Sequence, residues 1–201
     1  DRIAVVVPTS GTTGTPKGAM LSGTALTASA DATHDRLGGP GQWLLALPAH
    51  HIAGLQVLVR SVLAATAPIA VDASFTAPEL VSAVAAMDAG RRYTSLVAAQ
   101  LMKALADPAA TAALAGLDAV LIGGGPMPAG LAERAAAAGV AVVRTYGMSE
   151  TCGGCVYDGR PLNGVQLRID DTGRVALGRL NGDSSEDVLA RASSNRLRIL
   201  L

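Results

Sequence analysis

The sequence predicts an α/β fold: a largely parallel β-sheet flanked by helices, with a short β-hairpin near its C-terminal end. Three observations carry that expectation. Strand-length stretches at residues 3–7, 43–47, 93–97, 118–122 and 140–143 run without the apolar–polar alternation of a half-exposed strand, as strands covered on both faces do. Stretches of helical length separate most of them, the pattern of a layered α/β domain. Half of the 201 residues are hydrophobic but only 2% are aromatic, so the apolar mass is mainly Ala, Val and Leu, a small-residue economy suited to such layers. A chain of this length buries a sizeable core as one domain or two small ones.

In chain order, the strand at 3–7 leads into a Ser/Thr/Gly loop and a small-residue helix at 24–37. The strand at 43–47 is stopped by Pro48, a helix is expected over 52–65, and a short strand over 68–71. Thr76-Ala77-Pro78-Glu79 has the Thr-x-x-Glu spacing of a capping box, opening a helix to about Met87. The strand at 93–97 precedes a helix at 99–106, and the strand at 118–122 ends in Gly123, Gly124 and Gly125. A helix at 131–138 and a strand at 140–143 follow. From Tyr157 the character changes: Val165-Gln166-Leu167-Arg168-Ile169 alternates, Asp170-Asp171-Thr172-Gly173 is a turn, and Val175-Ala176-Leu177 pairs back. Residues 1–178 therefore read as the core domain. Residues 179–201, polar and then rich in Arg and Ser, read as an atypical, weakly structured tail.

Sixteen Lys and Arg balance sixteen Asp and Glu, which argues against a nucleic-acid partner or an anionic membrane surface. The best candidate for a membrane span, residues 54–71, is broken by Arg60 and Pro68. The first residues lack the basic-then-apolar order of a signal peptide. Cys152 and Cys155 have C-x-x-C spacing but sit in a Gly-rich, strand-like segment rather than opening a helix. Zinc would need two further ligands, and His34, His50 and His51 lie far upstream. A reduced, cytoplasmic protein is expected.

The sharpest feature is Thr9-Ser10-Gly11-Thr12-Thr13-Gly14-Thr15-Pro16-Lys17-Gly18, directly after a strand. Glycines let a backbone approach phosphates with its N–H groups, hydroxyls donate, and a lysine adds positive charge. It is not G-x-x-x-x-G-K-[ST]: Gly14 follows Gly11 too soon, Pro16 precedes the lysine, and Gly18 stands where Ser or Thr belongs. A flexible linker would explain neither its place after a buried strand nor its lysine, one of two in the chain.

This loop resembles the signature of the adenylate-forming superfamily. Three further segments agree in order: Pro48-Ala49-His50-His51-Ile52-Ala53-Gly54, Gly123-Gly124-Gly125-Pro126-Met127, and Tyr146-Gly147-Met148-Ser149-Glu150-Thr151. Within it, Thr94-Ser95-Leu96-Val97-Ala98-Ala99-Gln100-Leu101 and the run from Ser149 to Gly159 are most similar to the o-succinylbenzoate–CoA ligases of the menaquinone pathway, in their actinobacterial form. The resemblance implies part of the large N-terminal domain of an ATP-dependent acid–CoA ligase. Such an enzyme uses ATP, Mg²⁺ and CoA to make an acyl-adenylate and then a thioester. A ligase for another aryl, fatty or amino acid and a non-catalytic remnant that binds nucleotide weakly stay open.

A carboxylate attacking the α-phosphorus must overcome charge repulsion, so such catalysis is mostly neutralisation and alignment. By resemblance, Thr9, Ser10, Gly11, Thr12, Thr13, Gly14 and Lys17 would cradle the β- and γ-phosphates, and Glu150 would hold Mg²⁺. Gly123, Gly124 and Gly125 would wall the adenine opposite Tyr146, which is otherwise a core tyrosine. Gly147 and Ser149 would complete the nucleotide site, the Ser149 hydroxyl reaching the α-phosphate. His51 aligns with the family histidine near the acyl and phosphate groups better than His50 does, and is otherwise a polar loop residue. Arg92 and Gln100 are candidates for a substrate carboxylate by position alone. His34 and Lys103 read as structural. The C-terminal lysine that the resemblance implies is neither Lys17 nor Lys103, so the resemblance covers roughly residues 1–178 and implies a fragment.

Overall fold

The structure, a computed structural model, describes residues 2–9, 17–88, 90–169 and 175–179. Strands β1 (Ile3–Thr9) and β2 (Lys17–Ser22) form an antiparallel pair of their own, with Thr9 opposite Lys17 and Val7 opposite Ala19. The sequence led from the loop straight into a helix. Instead the chain first returns as β2. Its end is set by Ser22, whose hydroxyl accepts the Ala25 N–H and caps α1 (Gly23–Leu37). Residues 10–16, which join β1 to β2 and include Ser10, Gly11, Thr12, Thr13 and Gly14, lie outside the described residues.

The chain continues through β3 (Gln42–Leu45), α2 (Ile52–Leu63), β4 (Ile69–Ala70), α3 (Ala77–Ala85) and β5 (Arg92–Val97). Then come α4 (Ala98–Ala104), α5 (Pro108–Ala115), β6 (Ala119–Gly123), α6 (Leu131–Ala137) and β7 (Val142–Met148). The capping box at Thr76 and Glu79 is formed. The helix α5 was not read from the sequence; the Asp107 carboxylate opens it by accepting the N–H groups of Ala109 and Ala110, both at 2.9 Å. After β7 a 3-10 turn (Ser149–Thr151) leads into β8 (Gly153–Tyr157) and β9 (Arg160–Pro161). The expected hairpin is present as β10 (Val165–Ile169) and β11 (Val175–Arg179), with its turn outside the described residues. The tail expected from 179 onward lies outside them too, apart from Arg179.

Seven strands form the main sheet in the order β4-β3-β5-β6-β7-β8-β9. The first five are parallel; β8 pairs antiparallel with β7, and β9 antiparallel with β8, so the sheet is mixed. Alternate side chains divide it into two faces. Trp43, Tyr93 and Leu121 pack with Val57 of α2 and Ala32 of α1 on one face. Leu44, Leu96, Val120 and Ile122 pack with Leu80, Leu101, Leu114 and Leu131 on the other. The result is three layers: α1 and α2, the sheet, and α3 to α6. From β3 the chain steps outward to β4, then crosses back to place β5 on the other side of β3. Such a reversal opens a crevice at the carboxyl ends of the strands. No described helix is long and apolar enough to cross a membrane.

Candidate active site at the carboxyl rim of the sheet

The loop after β3 is folded tightly onto the start of α2. The His51 N–H donates to the Pro48 carbonyl at 3.1 Å, and the His51 carbonyl accepts from Leu55 N–H at 2.9 Å. Gly54 permits this approach, since a β-carbon there would stand 2.3 Å from the Pro48 carbonyl oxygen. His50 and His51 are exposed on this loop, their rings 4.3 Å apart, and His51 is the N-cap residue of α2. Its ring thus stands at the positive end of a twelve-residue helix.

At the end of β6, a β-carbon on Gly123 would meet the Thr145 hydroxyl of β7 at 2.5 Å, and Gly124 is left-handed with φ of 81°. Gly125 is exposed and faces open space. These glycines leave a bare backbone ledge at the carboxyl rim. Beside it, Tyr146 is half-buried on β7 and packs against Cys155 and Val156 of β8. Burial, then the neighbouring Cys155, pushes its hydroxyl above the usual tyrosine pKa.

The strand β7 ends at a bulge, where a β-carbon on Gly147 would collide with the Gly153 carbonyl oxygen. The Thr151 hydroxyl accepts the Met148 N–H at 2.9 Å and lies 2.7 Å from the Gly153 carbonyl oxygen, closing the turn Ser149–Thr151. Glu150 is exposed at the tip of that turn and forms no ion pair or hydrogen bond among the described residues. No cluster of three or more metal-ligating side chains occurs among the described residues. An available carboxylate fits Mg²⁺, which takes one or two carboxylates together with substrate phosphates rather than a protein cage. Both strands of the β1–β2 hairpin touch this turn, and Cys152 packs with Val7, Ala19 and Leu21 of the hairpin. Gly153 lies close to Ile52 and Gln56 of α2. The hairpin bearing Thr9 and Lys17, the Glu150 turn and the start of α2 therefore converge.

Below this rim, between α2 and the sheet, lies Arg60, 3% exposed. Its guanidinium stacks 4.8 Å from the Trp43 ring centroid and donates a long hydrogen bond, 3.5 Å, to the Tyr157 hydroxyl. It forms no ion pair among the described residues, and its Nε has no hydrogen-bond partner. One helical turn earlier, the buried Gln56 Oε1 is also unpartnered. Burial, opposed by Tyr157, lowers the Arg60 pKa. Nearby, the Trp43 indole N–H donates to His34 Nε2 at 3.4 Å, so His34 is structural, as expected. Its pKa is lowered, by burial first and then by Arg60.

Two sequence-based candidates for a substrate carboxylate are corrected. Arg92 begins β5, at the opposite rim, where its guanidinium donates to the Gly116 carbonyl. Gln100 is buried, and its amide donates to the carbonyls of Ala46 and Ala73, both at 2.8 Å, while accepting the Val97 N–H. Both are committed to holding the backbone. Arg60 was not among the sequence-based candidates. Its signal was the one charged residue in the helical stretch 52–65.

Residues 1–180 match the family described as AMP-binding enzyme. The chain belongs to that family. It is 68% identical over 180 residues to the probable 2-succinylbenzoate–CoA ligase of Mycobacterium tuberculosis (strain H37Rv), covering 89% of this chain and 47% of that protein. It is 34% identical to the 2-succinylbenzoate–CoA ligase of Geobacillus sp. (strain WCH70), covering 88% of this chain and 38% of that protein. The AMP-binding chain thus spans less than half the length of these two curated relatives. Among solved structures it is similar to the o-succinylbenzoate coenzyme A synthetase of Bacillus subtilis in complex with AMP. That match has a TM-score of 0.76 and 27% identity, over 89% of this chain and 51% of the other. The same synthetase in complex with ATP and magnesium ion gives a TM-score of 0.75, again over 89% of this chain and 42% of the other.

Proposed function

We propose that this chain, as residues 1–178 of a partial adenylation core followed by an atypical segment, is the nucleotide-binding part of an AMP-forming acid–CoA ligase acting on o-succinylbenzoate. The complete enzyme joins the acid to ATP as an acyl-adenylate with release of pyrophosphate, then passes the acyl group to CoA with release of AMP. A cytoplasmic location suits those substrates. The convergence of the β1–β2 hairpin, the Glu150 turn and the start of α2 at one rim supports this reading.

In it, Thr9, Ser10, Gly11, Thr12, Thr13, Gly14 and Lys17 hold the β- and γ-phosphates. Gly123, Gly124, Gly125 and Tyr146 take the adenine; Gly147 and Ser149 bring the chain to the α-phosphate; and His51 donates to the acid carboxylate or the transferred phosphate. Bound at Glu150, Mg²⁺ would neutralise phosphate charge. Arg60 favours an acid with a second anionic group over a fatty acid, because a buried guanidinium with an unpartnered Nε is a receptor for a carboxylate.

Calorimetric titration of the chain with a non-hydrolysable ATP analogue and Mg²⁺ tests the site. Lys17→Ala and Glu150→Ala each weaken binding, and unchanged affinity in both refutes the assignment. The same titration with o-succinylbenzoate, benzoate and a fatty acid ranks the first tightest. A preference for the fatty acid would favour the second reading, a ligase of the same family for another acid.

A further inference from the structure

We infer that Ser29 is a positioning residue for the metal-binding turn: from the middle of α1 it sets where the Glu150 carboxylate stands. The inference rests on the reading of Glu150 as the Mg²⁺ carboxylate. A buried Ser or Thr inside a helix ordinarily returns its hydroxyl to the carbonyl four residues back. Thr33 does so to Ser29 at 2.9 Å, and Ser61 does so to Val57 at 2.9 Å. Ser29, also buried, departs from that habit. Its hydroxyl donates to the Cys152 carbonyl at 3.0 Å, across 123 residues of sequence.

The acceptor lies at the point where the turn is hardest to hold. Cys152 has φ of 58° and Gly153 has φ of 97°, two successive residues in the left-handed region. A residue carrying a β-carbon rarely adopts that region unless its surroundings impose it. Within the turn, the Thr151 hydroxyl and the Cys152 N–H, which donates to the Ser149 carbonyl at 3.1 Å, fix the internal shape. The Ser29 hydrogen bond ties that shape to α1. One turn further along α1, the Thr33 hydroxyl lies 3.1 Å from the Tyr157 hydroxyl and secures the same helix face to the end of β8. Glu150, two residues before the anchored carbonyl, extends from a frame gripped at both ends of β8. Without the Ser29 hydroxyl the turn keeps its internal bonds and the packing of Cys152 on Leu26 but loses its hydrogen bond to the helix, and Glu150 spreads over more positions. Metal affinity would fall while contacts to the rest of the nucleotide persist.

The test titrates Mn²⁺, followed by its paramagnetic signal, into the chain saturated with ATP, for the unsubstituted chain, Ser29→Ala, Ser29→Thr and Glu150→Gln. Metal-free ATP affinity is measured alongside. Ser29→Ala should weaken Mn²⁺ uptake about fivefold, the factor one net hydrogen bond carries, and change metal-free ATP affinity by less than about twofold. Ser29→Thr, which keeps the hydroxyl, should restore uptake. If Ser29→Ala binds Mn²⁺ normally while Glu150→Gln does not, the inference is overturned. Equal weakening of metal-free ATP by Ser29→Ala also overturns it, because that would mark a merely structural role. If Glu150→Gln itself binds Mn²⁺ normally, the Glu150 reading fails and the inference with it.

Discussion

Replacing Arg60 by methionine separates what this side chain does for the fold from what it does for a ligand. The guanidinium is 3% exposed and forms no ion pair among the described residues. Removing such a charge from water costs several kcal/mol even after relaxation. Against that stand the stacking on Trp43 at 4.8 Å, worth up to about 2 kcal/mol, and a long hydrogen bond to Tyr157, worth less than about 1 kcal/mol. The balance leaves Arg60 destabilising by roughly 1–3 kcal/mol. Methionine keeps the unbranched stem without the charge and ends near the place of Nε, so the space left by the guanidinium takes back part of the gain. The Arg60→Met chain should melt roughly 2–12 °C higher, given about 2–4 °C per kcal/mol for a domain of this size. The same change should weaken o-succinylbenzoate at least about tenfold, because hydrogen bonds to a charged group carry about 1.5–3 kcal/mol. Differential scanning calorimetry and ligand titration at pH 7 read the two effects. A lower melting temperature would show that the guanidinium is a structural brace for Tyr157 and Trp43. Unchanged acid affinity would remove the second-carboxylate reading.

Gly54→Ala should destabilise the chain by roughly 1–3 kcal/mol in urea unfolding, because the new β-carbon meets the Pro48 backbone at 2.3 Å and the His51 loop must lift. Gly125→Ala, facing open space, serves as the control and should stay within about 0.5 kcal/mol. Stability should also fall as the pH drops below about 6.5, histidine's ordinary pKa. Burial and Arg60 hold folded His34 below that value, against Asp31 and Asp35, so between the two values the unfolded chain binds more protons. His34→Gln should flatten this slope in urea titrations from pH 7.5 to 5.5. Asp72 and Glu79, held low by hydrogen bonds from Ser74 and Thr76, belong to a more acidic window. An unchanged slope in His34→Gln would show that other groups carry it.

The parallel strands were legible because burial on both faces leaves nothing for alternation to record: residues 43–47, 93–97 and 118–122 each contain most of an observed strand. The strand β2 was not legible, since Lys17-Gly18-Ala19-Met20-Leu21-Ser22 contains no β-branched or aromatic residue, and its pairing with β1 carries it. The expected strand at 140–143 proved to be the start of β7, which runs on through Tyr146 to Met148. Its Gly-containing end is held by pairing with β8 rather than by propensity. Of the candidate site, His51, Gly123 and Glu150 were visible as motif residues, and the structure places each just beyond or at the carboxyl end of a strand. Gln100 and Arg92 misled because sequence position reveals neither which rim of a sheet a residue occupies nor whether backbone carbonyls already hold its side chain. Arg60 was missed for the converse reason: burial without a partner is a property of three dimensions.

The reversal of strand order at β3 also has a consequence for how this protein tolerates change. At the amino rim, Arg92 is bonded to Gly116, Gln42 to Asp88 and Ala67, and Tyr93 to Leu37 and Gly39. That rim works as a seam. Random substitution there should surface as poor yield or a lowered melting point. Substitution at the opposite rim should leave a well-behaved chain that has lost ligands. A library scored separately for abundance and for nucleotide capture would therefore divide along the sheet axis, tracing the boundary between scaffold and workplace without a single bound molecule.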